Sequence, residues 1–139
     1  MTDVPPPAAP SPEAGTPTRQ TILVVDDEPG VRVIVARMLA LSGYSVVSAQ
    51  SGEDAISVAR DHTAPIDLLL TDVRMPGMTG PELAQELRKL RPGIKVMYMS
   101  AYARDVLPSG VDDTEVPFLN KPFTMQTLAL SIVETLRRS

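Results

Sequence analysis

The chain has no cysteine and a single histidine, His62. The first absence excludes disulfides and thiolate metal sites, and the second leaves no imidazole pair on which a zinc site could be built. Long apolar runs are missing too. Although 43% of the 139 residues are apolar, no uninterrupted stretch approaches the roughly 18 to 20 residues that a spanning helix requires, so membrane insertion is not expected. There is no charged leader followed by an apolar run and a small-residue cleavage site, which argues against secretion and fits cytoplasmic residence. Clustered basic charge is the last absence. The formal net charge is -4 and the 13 Lys and Arg are scattered, whereas direct nucleic-acid binding needs cations gathered against phosphates. A cation is the expected charged partner.

What is present reads as one domain preceded by a tail. Residues 1–19 hold six of the 14 prolines and almost nothing that could pack against a core, so they are expected to be a disordered tail or linker. Residues 20–139 are long enough to bury a real core. From Gln20 onward apolar strands and helical periods alternate. Ile22 to Val25 reads as a strand, and Val31, Ile34, Val35, Met38 and Leu39 as one broad helical face ended by Gly43. Tyr44 to Ala49 is a second strand; Ser51, with Asp54 three residues on, marks the next helix start. Ile66 to Thr71, apolar on both faces around Leu68, Leu69 and Leu70, reads as a central strand. Thr79 and Glu82 form a capping-box signature for a helix running to about Leu90, which Arg91-Pro92-Gly93 stops. Ile94 to Met99 and a shorter Val116 to Leu119 complete the strands, and an amphipathic helix follows from about Thr124 to Arg138. Strands alternating with helices predict a doubly wound α/β fold: a five-stranded parallel sheet with right-handed crossovers and helices on both faces.

In such sheets ligands bind outside the carboxyl ends of the strands. The residues expected there are Asp26, Asp27 and Glu28 after the first strand, Asp72 after the third, Ser100 and Ala101 after the fourth, and Lys121 beyond the fifth. Each alone has a plain structural reading, because Asp caps helices and fills turns and a lone Lys or Ser is ordinary surface. Together they offer a nucleophile, metal ligands, a hydroxyl and a cation. Carboxylates gathered in one pocket repel, by about 4 kcal/mol per pair at roughly 4 Å and an effective dielectric of about 20. Something must compensate, and hard oxygen donors of this kind favour Mg²⁺.

The ordered segments VVDDE, LLLTDVRMPGMTG, MSAYA and FLNKPF resemble the response-regulator receiver family of two-component signalling, over about residues 20–138. The resemblance implies the flavodoxin-like strand order 2-1-3-4-5. It also implies that Asp72 is the phosphoacceptor, taking a phosphoryl group from a phosphohistidine on a sensor histidine kinase or histidine phosphotransfer protein. Asp27, Asp72 and the backbone carbonyl of Arg74 would bind Mg²⁺ directly, with Asp26 acting through a water. Ser100 and Lys121 would take the remaining phosphoryl oxygens, and the small Ala101 would leave the site open. Ser100, Phe118 and Tyr102 are the implied switch residues, although Phe118 equally reads as a plain strand residue in the core. The domain would assist its own phosphorylation and dephosphorylation rather than act as an enzyme, as a monomer or weak dimer.

Two stretches depart from the family pattern. Pro108, Gly110 and the acidic run Asp112 to Glu115 should make the fourth helix short or irregular. Arg74, two residues after Asp72, sits where a side chain can gate attacking water. Met75, Met78, Met97 and Met99 read as core and loop packing. An aspartate-nucleophile phosphatase would need a second acid where Arg74 stands, and a flavin carrier would need a hydroxyl-rich loop where Asp26-Asp27-Glu28 stands. A receiver-fold module that binds without cycling phosphate is opposed by the intact Asp27, Asp72 and Lys121. A free-standing regulator is the expectation, with a receiver from a hybrid sensor kinase as the alternative.

Overall fold

The computed structural model of the chain describes residues 19–100 and 117–137. Five strands and four helices follow one another as β1 (Thr21–Val25), α1 (Pro29–Leu41), β2 (Ser45–Ala49), α2 (Gly52–Asp61), β3 (Leu68–Asp72), α3 (Gly80–Leu90), β4 (Lys95–Ser100), β5 (Phe118–Asn120) and α4 (Met125–Arg137). The strands form one parallel sheet in the order β2-β1-β3-β4-β5. Fold class and strand order are those expected. Residues 1–18 of the proline-rich tail, Ala101, Tyr102 and the segment 103–116 expected to carry a short or irregular fourth helix lie outside the described residues.

Period-two alternation splits the strands into two cores. Leu23, Val25, Leu69 and Tyr98 face Ala55 and Ala59 of α2 and Leu83 and Leu87 of α3. Ile22, Val24, Leu70, Met97 and Met99 face Val35 and Leu39 of α1 and Leu128 and Ile132 of α4. Because both faces are covered, β1 and β3 are buried along their whole length, which is why their sequences run apolar without interruption.

Local chemistry sets the helix starts. Pro29 opens α1, where a missing N–H costs nothing. Ser51 Oγ accepts from the Asp54 N–H at 3.0 Å to cap α2. At α3 the Thr79 hydroxyl accepts from the Glu82 N–H at 3.3 Å, while the Glu82 carboxylate accepts from the Thr79 N–H at 2.9 Å, so the capping box forms in full. The far end of α2 is closed from a distance. Arg91, the residue after α3, donates to the carbonyls of Ala59 (2.8 Å), His62 (2.6 Å) and Ala64 (3.0 Å).

Four expectations need correcting. Ile34 is 56% exposed, since α1 buries only the Val35 and Leu39 stripe and turns Ile34 outward. The third strand begins at Leu68 rather than Ile66, and Asp72 and Ser100 are the last residues of β3 and β4 rather than the first of the following loops. Phe118, read as equally suited to the core, is 37% exposed and meets Tyr98 edge-on, with ring centroids 6.3 Å apart.

Candidate functional site

Sheet register brings the chemical residues to one level. Val25 pairs with Thr71, Asp72 with Met99, and Ser100 with Asn120. Asp26 and Lys121 each follow the last residue of their strand, so Asp26, Asp72, Ser100 and Lys121 all stand at the carboxyl edge of the sheet. Asp27 joins them: one carboxylate oxygen from each of Asp26, Asp27 and Asp72 lies within 4.8 Å of the others. Asp26 and Asp72 are buried, whereas Asp27 is exposed.

Lys121 reaches into this acidic pocket. Its Nζ is 2.8 Å from Asp26 Oδ2, 3.4 Å from Asp72 Oδ2 and 3.9 Å from Glu28 Oε1. Its backbone N–H donates to the Ser100 carbonyl at 2.7 Å, tying β5 to the end of β4, and its peptide bond to Pro122 is cis. The ammonium therefore supplies part of the compensation that three close carboxylates demand.

Asp26 is held on every side. Its Oδ1 accepts from the Glu28 N–H at 2.9 Å, its Oδ2 from Lys121, and its main-chain carbonyl from the Arg32 guanidinium at 2.7 Å. Both carboxylate oxygens are thus engaged within the protein. Direct ligation is easier for Asp27 and Asp72, and the set of carboxylates open to water on the Asp27 side suits a hard divalent ion such as Mg²⁺, which keeps several waters.

Burial pushes the Asp72 carboxyl up to about 6; the charge of Lys121 pulls it back down, and those of Asp26 and Asp27 add to the rise. Burial alone would lower the Lys121 ammonium. The hydrogen bond to Asp26 and the charges of Asp72 and Asp26 outweigh it and hold Lys121 above the ordinary lysine value. At pH 7 an anionic Asp72 faces a cationic Lys121.

Other expected residues are placed as follows. Ser100 is fully buried at the end of β4. The side chain of Arg74 is exposed on the loop after β3. Phe118 stands at the start of β5, three residues before Lys121, and Tyr102 lies outside the described residues. Two neighbours of the site were not picked out from sequence, Arg32 and Thr71. Arg32 falls in the first turn of α1, where a long side chain can fold back over the loop it follows. Thr71 is a hydroxyl in an otherwise apolar strand next to Asp72, and that contrast was the available signal.

Fold and site together define a doubly wound α/β domain with an acidic, lysine-braced centre at the carboxyl edge of its sheet. The chain belongs to the response regulator receiver domain family, which residues 22–133 match. It is 39% identical over 119 residues to the sensor kinase CckA of Brucella abortus, covering 85% of this chain and 13% of that protein. It is 34% identical over 121 residues to the transcriptional regulatory protein GlrR of Escherichia coli, covering 85% of this chain and 26% of that protein. The chain thus spans less than a third of the length of either relative. Among solved structures it is similar to the receiver domain of the hybrid histidine kinase CckA, with 38% identity and a TM-score of 0.71 over 84% of this chain and 99% of that one. It is also similar to the Thermotoga maritima response regulator TrrA in complex with Mg²⁺-BeF, with 32% identity and a TM-score of 0.69 over 84% of this chain and 98% of that one.

Proposed function

We propose that Asp72 accepts a phosphoryl group from a phosphohistidine on a sensor histidine kinase or histidine phosphotransfer protein, with Mg²⁺ bound beside it. The observation that carries this reading is the Lys121 ammonium set between the buried carboxylates of Asp26 and Asp72, with Asp27 alongside. An Asp72 oxygen attacks phosphorus in line with the imidazole nitrogen; the P–N bond breaks, its electrons return to the imidazole, and an aspartyl phosphate remains. Asp27, Asp72 and the carbonyl of Arg74 would hold the Mg²⁺, and Asp26 would reach it through water. When bound, the ion neutralises phosphoryl oxygens as negative charge spreads over them. Lys121 pairs with a phosphoryl oxygen by moving away from Asp26, and the Ser100 hydroxyl donates to another. The driving force comes from the donor, and the domain supplies position and charge.

Signalling would follow from Ser100 turning toward the phosphate and Phe118 turning inward. The partly exposed ring of Phe118 supports the switch reading over the plain core one, and Tyr102 remains the second reporter proposed. Residues 20–139 would form the domain and residues 1–19 its tail or linker, acting in the cytoplasm without direct nucleic-acid contact, as a monomer or weak dimer. Arg74 would gate the water that ends the aspartyl phosphate. A free-standing regulator is the first reading; similarity to the receiver of a hybrid kinase supports the second, a receiver working within such a kinase.

Intact mass after incubation with a small phosphodonor, with and without Mg²⁺ and alongside Asp72→Asn, tests the chemistry. A single phosphoryl adduct requiring both Mg²⁺ and Asp72 is expected. A folded protein that forms none would point to a module that binds without cycling phosphate.

A further inference from the structure

The main-chain carbonyl of Asp72 is met by two residues, Thr71 and Gly80, that are neither metal ligands nor reacting groups. On one side the fully buried Thr71 hydroxyl donates to it at 3.0 Å. On the other, Gly80, the first residue of α3, packs directly against it: a Cβ there would overlap the Asp72 carbonyl oxygen and come within 3.2 Å of both the Asp72 carbonyl carbon and Val73 Cα. The Gly80 N–H also donates to the Val73 carbonyl at 3.0 Å, closing the loop between β3 and α3 onto the end of the strand. The contact is with backbone, which cannot swing aside as the end of a flexible side chain can.

We propose that Thr71 and Gly80 are positioning residues for the phosphoacceptor: by fixing the Asp72–Val73 peptide plane between a hydroxyl and a bare Cα, they set the direction of the Asp72 carboxylate and of the loop that presents the Arg74 carbonyl. This rests on the assignment of Asp72 as phosphoacceptor. The geometry explains why both features are needed. The hydroxyl sets the orientation of the carbonyl but leaves α3 free to ride outward, and the close approach of Gly80 holds α3 in but permits the peptide plane to rock. A rocking plane moves the carboxylate and the Arg74 carbonyl together. Rate in such sites falls steeply with misplacement, by up to about a hundredfold for about 1 Å.

The test compares the full chain with Thr71→Val, Gly80→Ala, Leu87→Ala and Gly93→Ala. Three quantities are read: the Mg²⁺ dissociation constant by calorimetry, the rate of adduct formation with acetyl phosphate by intact mass, and the thermal midpoint. Leu87 is buried in α3 away from the site, so its variant loses stability without touching the Asp72 carbonyl, and Gly93 has open space around it. Thr71→Val and Gly80→Ala are expected to weaken Mg²⁺ binding and slow adduct formation, Gly80→Ala by on the order of tenfold or more. Leu87→Ala, below its melting range, and Gly93→Ala should keep wild-type values. If Gly80→Ala does not fold, Thr71→Val decides alone. The proposal is overturned if the Thr71 and Gly80 variants that fold keep Mg²⁺ affinity and rate within about twofold of wild type, or if Leu87→Ala loses as much as they do. A wild-type chain that forms no Mg²⁺-dependent adduct overturns the assignment of Asp72 itself, and is told apart because the failure appears before any substitution.

Discussion

Lys121 and Asp26 are 95 positions apart in sequence, yet their ammonium and carboxylate meet at 2.8 Å, with only 11% of the lysine side chain and none of the aspartate exposed. An ion pair so sheltered costs more to break than to build, because removing one partner strands the other in low dielectric. Lys121→Met is therefore expected to destabilise the metal-free protein by about 3 kcal/mol or more. Urea denaturation in EDTA measures the loss. Repeating it with Mg²⁺ should restore part of it, since a bound divalent ion replaces the missing positive charge.

Asp72 opposes folding above the acid range. Its folded value of about 6 exceeds the ordinary value of 3.8, so between those limits the folded chain holds a proton that the unfolded chain has released, and stability falls as pH rises. Asp72→Asn removes that penalty. In metal-free buffer at pH 8 the variant should be more stable than wild type by up to about 3 kcal/mol, and the advantage should vanish below about pH 4. Denaturation curves at both pH values check the sign; a variant less stable at pH 8 would contradict it.

The same proton competes with metal. An ion that requires the Asp72 carboxylate must displace the proton below about pH 6, so the apparent Mg²⁺ dissociation constant should be flat above that pH and rise about tenfold per unit below it. Calorimetric titrations at pH 7.5, 5.5 and 5.0 would show the break, and Asp27→Ala should weaken binding at all three.

Much of this architecture is legible from residue types. Ile22 and Val24 go to one core and Leu23 and Val25 to the other because strand side chains alternate, and Thr79 with Glu82 caps α3 through bonds three residues apart. The placing of Asp26, Asp72, Ser100 and Lys121 at one sheet edge follows from their position at strand ends. The hold on Asp26 was less visible: Lys121 approaches from β5 and Arg32 from α1, and no local pattern encodes a pairing made only when the sheet closes. Ile34 misled for a related reason. An apolar side chain says that burial is favourable, whereas the neighbouring elements decide whether cover is available.

The cap on α3 carries a stability contribution of its own. Thr79→Ala deletes the hydroxyl that accepts from the Glu82 N–H and should cost about 1 kcal/mol, read as a lower thermal midpoint. Thr79→Ser, which retains the acceptor, should lose less.

The clasp of Arg91 on Ala59, His62 and Ala64 makes two helices share one fate. Three carbonyls in the last turn of α2 and just beyond it accept from a side chain rooted just past α3, so neither end can fray without releasing the other. In hydrogen-exchange terms, amides in the last turns of α2 and α3 should open together with one protection energy, and truncating the guanidinium should uncouple them.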